Sequence, residues 1–329
     1  MPKITIFDST LRDGSHGIRH QFTKTQIKNY SVLAEKSGIP IIVVGHGNGL
    51  GASSIHLGTA KLTDKIMLRT ARQELNKTRL GTFVLPGFAT LKDMDMAISE
   101  GVDVFQVASH CTEATVTKQY IEYAKKKGKE VYGVLMMSHM VDSEILMEQA
   151  ILMQDYGVQG VLFMDSAGAL LPQNVSERVY AIKSVDIKVG HHPHNNLGLA
   201  VANALIAVEA GATMLDGTTC GLGAGAGNLP LEVIVPLLHK LGYKTGINED
   251  ALFECADYIR SEFPLPKVDP ISIVSGLSGV FSGFKPLVLK ASKEYGASSY
   301  DIFRELGRQK TVAGQEDMVI EIAKELSKT

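Results

Sequence analysis

Cysteine is scarce. The three residues present, Cys111, Cys220 and Cys255, are far apart and odd in number. That excludes a disulfide framework and the paired spacing of a zinc site, and it suits a reducing cytoplasm. Long apolar runs are absent too. No segment reaches the length that spans a bilayer, and the opening MPKITIFDST lacks the apolar core of a secretory signal. Neither sign of charge dominates: 33 Lys and Arg against 35 Asp and Glu leave a formal net charge of −2. Nothing in that balance points to nucleic acid or to an anionic membrane. Low-complexity tracts are missing as well. What remains is an ordinary globular composition, 45% apolar and 21% charged over 329 residues, enough for one large domain or two ordinary ones.

Short β-branched or apolar runs alternate with longer amphipathic stretches. Strands are expected at residues 4–7, 40–45, 79–85, 103–108, 130–137, 159–165, 186–192 and 213–217, each followed by a helical pattern. TKTQIKNYSVLAEKSG closes in Lys-Ser-Gly, a helix-stop signal. EATVTKQYIEYAKKKG sets Val116, Tyr120 and Tyr123 near one face, and its basic end suits a helix C-terminus. Eight strand–helix pairs within roughly 240 residues imply a closed (β/α)8 TIM barrel, whose usual size is about 250 residues. A doubly wound open sheet would normally carry a Gly-rich fingerprint after its first strand, and DSTLRDGSHG is not one. Beyond residue 245 the alternation stops. NEDALFECADYIRSEF, SGLSGVFSGFKPLVLKASKEYG and SSYDIFRELGRQK read as helices. The expected organisation is therefore a catalytic barrel, residues 1–245, with a C-terminal helical domain, residues 246–329.

In such a barrel the chemistry gathers at the C-terminal ends of the strands. Strand one is followed by Asp8, Arg12, Asp13 and His16, strand two by His46, strand four by His110, strand five by His139, and strand six by Asp165 and Ser166. Strand seven runs into GHHPHNN. Of ten histidines, eight lie at or just after strand ends, too many on one rim for a random scatter. In an extended segment residues two apart share a face, so His192 and His194 both reach one ion while His191 points away. Strand seven is two strands from strand one at about 4.8 Å per step, which lets Asp13 meet the pair across the mouth. Two imidazoles and one carboxylate with open positions suit a six-coordinate divalent cation such as Mn²⁺, Mg²⁺, Co²⁺ or Fe²⁺. Arg12 would stabilise negative charge on a reacting oxygen, and His16 would serve as base or acid. GLGAGAGN, residues 221–228, lacks the Lys-Ser/Thr of a phosphate loop. It reads instead as a flexible loop that brings Asn228 to the site.

TLRDGSHGIRHQF, HGNGLGASS, LMMSHM, MDSAGAL, HPHNN, GAGAGNLPLEV and ELGRQKTVAGQEDM together resemble the signatures of the 4-hydroxy-2-oxovalerate aldolase family, one of the DRE-TIM metallolyases. The likeness runs from about residue 4 to about residue 323. It implies a class II pyruvate aldolase in which Asp13, His192 and His194 bind the metal, most simply Mn²⁺. Arg12 would stabilise the pyruvate enolate, and His16 would take the C4-hydroxyl proton. Ser166 would help hold the substrate carboxylate, with Asn228 a further ligand. The same resemblance implies an acylating acetaldehyde dehydrogenase as partner. Two positions depart from the pattern: Phe281 stands where the family carries Tyr beside the aldehyde end of the substrate, and Asn48 where HGDGL would have Asp. Three other readings compete. A Claisen-type acyltransferase or an acyl-CoA lyase is one; the lyase's catalytic cysteine belongs in its Gly-rich loop, and only Cys220, just before residues 221–228, comes near. A Schiff-base aldolase would use Lys188, which lies four residues before His192, about 13 Å at 3.3 Å per residue. A partner-activating subunit would not need the intact polar set.

Overall fold

The computed structural model describes residues 2–328. Eight parallel strands close into a barrel in chain order: β1 Thr5–Asp8, β2 Ile41–Val43, β3 Arg79–Val84, β4 Val104–His110, β5 Glu130–Met136, β6 Val161–Asp165, β7 Val189–Pro193 and β8 Met214–Gly217. Closure comes from β1 against β8, where Phe7 is level with Asp216 and Asp8 with Gly217. The TIM barrel expected from the alternation is the fold, and each strand lies within a few residues of its expected place.

Alternation along the strands sorts side chains into two cores. Phe7, Ile41, Val43, Phe83, Val104, Ala108, Tyr132, Val134, Leu162, Met164 and Met214 fill the inside of the barrel. The opposite parity, with Ile6, Ile42, Leu80, Phe105, Leu135, Phe163 and Leu215 among it, packs beneath the helices. Those helices are α1 Gly14–Gly17, α2 Lys24–Ser37, α3 Asp64–Arg72, α4 Leu91–Ser99, α5 Lys118–Lys126, α6 Ser143–Tyr156, α7 Pro172–Lys183, α8 Ala200–Ala210 and α9 Leu231–Lys240. The expected stop after α2 is Gly38, left-handed at φ 75°, and Thr23 with Gln26 forms a capping box at its start. The face expected of α5 is only partly correct. Ile121 and Ala124 are its buried residues, and Val116 lies in a preceding 3₁₀ turn with its side chain exposed.

After the barrel come α10 Glu249–Glu262, α11 Pro270–Leu277, α12 Lys285–Tyr295, α13 Ser299–Arg308 and α14 Asp317–Leu326. The single helix expected over SGLSGVFSGFKPLVLKASKEYG is broken. Gly279 turns left-handed at φ 65°, and a 3₁₀ turn, Ser282–Phe284, separates α11 from α12. Leu252, Cys255, Ile259 and Phe263 of the α10 segment belong to the barrel's outer core. A third core, running from Val280 to Ala323, joins α12, α13 and α14. No helix among the described residues is long and apolar enough to cross a membrane.

Candidate metal centre and its surroundings

β1 ends at Asp8, and the chain turns at once. Asp8 accepts from the Thr10 backbone and from the Tyr30 hydroxyl, which fastens the turn to α2. Burial pushes this carboxyl up to about 6 against the pull of those donors. Asp8 is therefore the structural member of the opening cluster. The turn aims Arg12 and Asp13 into the mouth and starts α1 with His16.

Asp13, His192 and His194 converge. Their potential ligand atoms lie within 4.8 Å of one another, and all three residues are buried. His192 Nε2 is 3.9 Å from Asp13 Oδ2. Both ring nitrogens of His192 and Nδ1 of His194 lack hydrogen-bond partners although buried. Buried polar atoms without partners are costly, and inward-facing donors of this kind fit a cation. His191, one residue off in parity, turns outward to stack on Phe163 and face its carbonyl, as alternation requires. Burial alone would raise the Asp13 carboxyl. The Arg12 guanidinium, with His194 and His192, outweighs it and holds Asp13 well below the usual carboxylate range. Burial pushes His194 down to about 3, so its imidazole is neutral and free to ligate.

Arg12 donates to Asp13 Oδ2 at 2.6 Å and to Ser9 Oγ at 3.3 Å, and its guanidinium carbon lies 4.7 Å from the centroid of the Phe83 ring. Its Nε remains buried and unpartnered. His16 rests on Gly47, where a Cβ would stand 2.6 Å from the imidazole Cε1, so only glycine admits the ring. Burial lowers the affinity of His16 for a proton, against the opposing pull of Asp13. A base must be unprotonated to act, and this environment favours that form.

Asn228 arrives from the Gly-rich loop, which is pinned along β7 rather than loose. The amide of Asn195 donates to Gly227 O and that of Leu229 to Pro193 O. Asn228 Nδ2 then donates to Asp13 Oδ1 at 2.8 Å, and its own Oδ1 is buried and unpartnered. Ser166 is less direct. Its Oγ accepts the Met137 amide and its carbonyl accepts that of Ser282, though a hydroxyl that accepts one bond can still donate. Phe281 adjoins that contact. Its ring packs edge-on against Phe284, while Ser282 Oγ donates to Asn196 Oδ1. No side-chain contact accounts for Asn48, whose backbone amide donates to His46 Nδ1.

Other rim residues are engaged elsewhere. His46 donates to Gly58 O and stacks on His20 at 3.7 Å, His139 donates to Gly279 O, and Asp165 accepts two amides of its own loop. The rival nucleophiles lie off the site. Cys220 Sγ donates to Ala256 O on α10, and burial pushes its thiol up to about 12. Lys188 is exposed, one residue before β7 begins. The sequence reading missed two residues, Asp216 and Gln106, which are buried inside the barrel and joined by a 2.8 Å hydrogen bond. Their signal was a polar residue at the inward parity of strands that otherwise read apolar.

The HMGL-like family profile matches residues 3–259, and a DmpG-like communication domain matches residues 266–328. Among solved structures, the carboxyl transferase domain of Rhizobium etli pyruvate carboxylase superposes with TM-score 0.84 at 14% identity, covering 99% of this chain and 60% of that one. HMG-CoA lyase from Brucella melitensis gives TM-score 0.69 at 17% identity, covering 79% and 99%. Those likenesses speak to the fold alone. In sequence, the 4-hydroxy-2-oxovalerate aldolase of Pectobacterium atrosepticum is 47% identical, covering 99% of this chain and 96% of that protein. The one from Spirochaeta aurantia is 50% identical with the same coverage. Identity at that level along nearly the whole of both chains places this chain in the 4-hydroxy-2-oxovalerate aldolase family, within the HMGL-like group.

Proposed function

We propose that this chain is a divalent-metal-dependent pyruvate aldolase that cleaves a 4-hydroxy-2-oxoacid, such as 4-hydroxy-2-oxovalerate, to pyruvate and an aldehyde. The convergence of Asp13, His192 and His194, with buried unpartnered imidazole nitrogens, carries the reading. Asp13, His192 and His194, with Asn228 beside Asp13, would hold the cation, which would supply Lewis-acid chemistry toward the substrate's carboxylate and keto oxygens. Mn²⁺ is the proposed ion; Mg²⁺ and Co²⁺ suit the same donors. His16 takes the proton from the C4 hydroxyl. The C3–C4 bond breaks, the C4 oxygen becomes the aldehyde carbonyl, and the electron pair moves onto C3 as the enolate of pyruvate forms. Arg12 donates to the enolate oxygen, where negative charge develops. A proton gained at C3 balances the one His16 removed, which His16 gives back to solvent, and completes pyruvate. Ser166 donates to the substrate carboxylate. Phe281 borders the aldehyde end and, having no hydroxyl, leaves that pocket apolar.

The proposal extends to the whole chain. The barrel, residues 1–245, carries the chemistry, and the helical unit, residues 246–329, carries contact with an acylating acetaldehyde dehydrogenase. The match of residues 266–328 to a communication domain supports the partner. Within the helical unit, α10 packs against the barrel's outer core, and α12 to α14 share a core of their own. Three free thiols suit the cytoplasm. Purified protein should release pyruvate from 4-hydroxy-2-oxopentanoate with Mn²⁺, lose that activity in EDTA and regain it on adding Mn²⁺. Activity that persists in EDTA, or an adduct trapped by borohydride, would remove the metal mechanism. Co-purification of a dehydrogenase tests the partner.

A further inference from the structure

Behind His192, on the side away from Asp13, lies a chain of buried polar groups. His192 Nδ1 is 3.1 Å from Asp216 Oδ1, a short contact that lies off the straight hydrogen-bond line. The other carboxylate oxygen, Asp216 Oδ2, accepts from Gln106 Nε2 at 2.8 Å. Gln106, His192 and Asp216 come from β4, β7 and β8 and are at most 1% exposed, so these contacts are shielded from bulk solvent. A carboxylate inside an apolar barrel is expensive. Its Oδ1 faces the imidazole in front of it.

We propose that Asp216 and Gln106 are a positioning pair that fixes the tautomer of His192. Asp216 accepts the proton on Nδ1, which leaves the Nε2 lone pair facing Asp13, where the cation would sit. Gln106 fixes the carboxylate from behind, because its amide donates to Oδ2 and leaves Oδ1 for the imidazole. The inference rests on the metal-dependent reading above. Outer partners of ligating histidines of this kind are typically worth about 10–100-fold in metal affinity.

The pair makes an unusual prediction. In Asp216→Leu nothing accepts the Nδ1 proton, which is then free to move to Nε2 beside Asp13, the wrong tautomer for ligation. Asp216→Asn combined with Gln106→Glu restores the acceptor. The carboxylate introduced on β4 accepts from the amide nitrogen introduced on β8, and the amide oxygen again faces Nδ1–H. Mn²⁺ titrated calorimetrically should bind Asp216→Leu about 10–100-fold more weakly than wild type, and the double variant should recover most of that loss. Thermal melting in EDTA shows which variants are folded. Mn²⁺ affinity unchanged in folded Asp216→Leu, or equal loss in folded Asp216→Leu and the folded double variant, would overturn the proposal. Wild-type protein gives a test that needs no variant: long-range ¹H–¹⁵N spectra of the EDTA-treated chain should show His192 protonated at Nδ1. An Nε2-protonated His192 in protein that binds Mn²⁺ overturns this inference alone, whereas wild type that binds no Mn²⁺ removes the metal reading beneath it.

Discussion

Arg12 does with a planar fork of donors what an ammonium on a flexible stem cannot. One edge holds Asp13, another reaches Ser9, and the flat face lies against Phe83. Its position is set by these contacts before any substrate arrives, so in the proposed mechanism it would meet developing enolate charge without reorganising. Arg12→Lys keeps the charge but loses the fork and the stacking. Turnover at saturating Mn²⁺ should fall by about 10²–10³, the usual consequence of losing one such donor. Mn²⁺ affinity measured by calorimetry should change little, because Asp13, His192 and His194 are untouched. Wild-type turnover in Arg12→Lys would remove the assigned role.

At the scale of elements, two loops decide whether the first-strand residues are held in place. The Gly-rich loop passes so close to the proposed metal ligands that a Cβ on Gly223 would stand 2.8 Å from Asp13 Oδ1 and overlap the Asn228 amide. Gly223→Ala should therefore weaken Mn²⁺ binding and turnover together while leaving the barrel's circular dichroism unchanged. Mn²⁺ affinity at the wild-type level would show that the loop yields. The loop after β2 is held differently. His46 accepts the Asn48 amide on Nδ1 and donates from Nε2 to Gly58 O, a pair of bonds only the neutral ring can make. Burial pushes its pKa down to about 4. An unfolded chain takes up that proton near pH 6.5 and the folded chain refuses it. The stabilisation is thus complete above pH 6.5 and is lost as pH falls toward 4, at up to about 1.4 kcal/mol per pH unit. Denaturant unfolding of His46→Gln should show a shallower decline across that window, and an unaltered slope would mean another group carries it. Element order and type were legible because buried parallel strands and amphipathic helices have distinct periods. The break at Gly279 was not, because its left-handed turn serves a contact with His139 far away in sequence.

The whole molecule shows what a one-dimensional pattern could and could not reveal. Asp13, His192 and His194 could be found because closing a barrel brings the first and seventh strands near each other, and parity decides which histidines face inward. Asp216 and Gln106 escaped notice because their partner is another strand's side chain, and neither sits in a motif. The tie between the C-terminal helices and the rim escaped for the same reason. Ser282 donates to Ser166 O and Asn196 Oδ1, and His139 donates to Gly279 O, so three barrel loops are held from outside the barrel. The barrel's outer core and the core of α12 to α14 are separate, and the α10 segment belongs to the former. A chain ending at residue 265 should therefore keep a cooperatively melting barrel, at a lower Tm. It should bind Mn²⁺ within several-fold of wild type, since Asp13, His192 and His194 lie on the retained barrel. It should lose most of its turnover, because Ser166 and the Asn196 loop lose their outer anchor. The detached helices should not fold alone, since a single core of that size rarely supplies more than about 3–5 kcal/mol. Full turnover in the truncated chain would mean that the rim holds its own shape and that the helices serve the partner only.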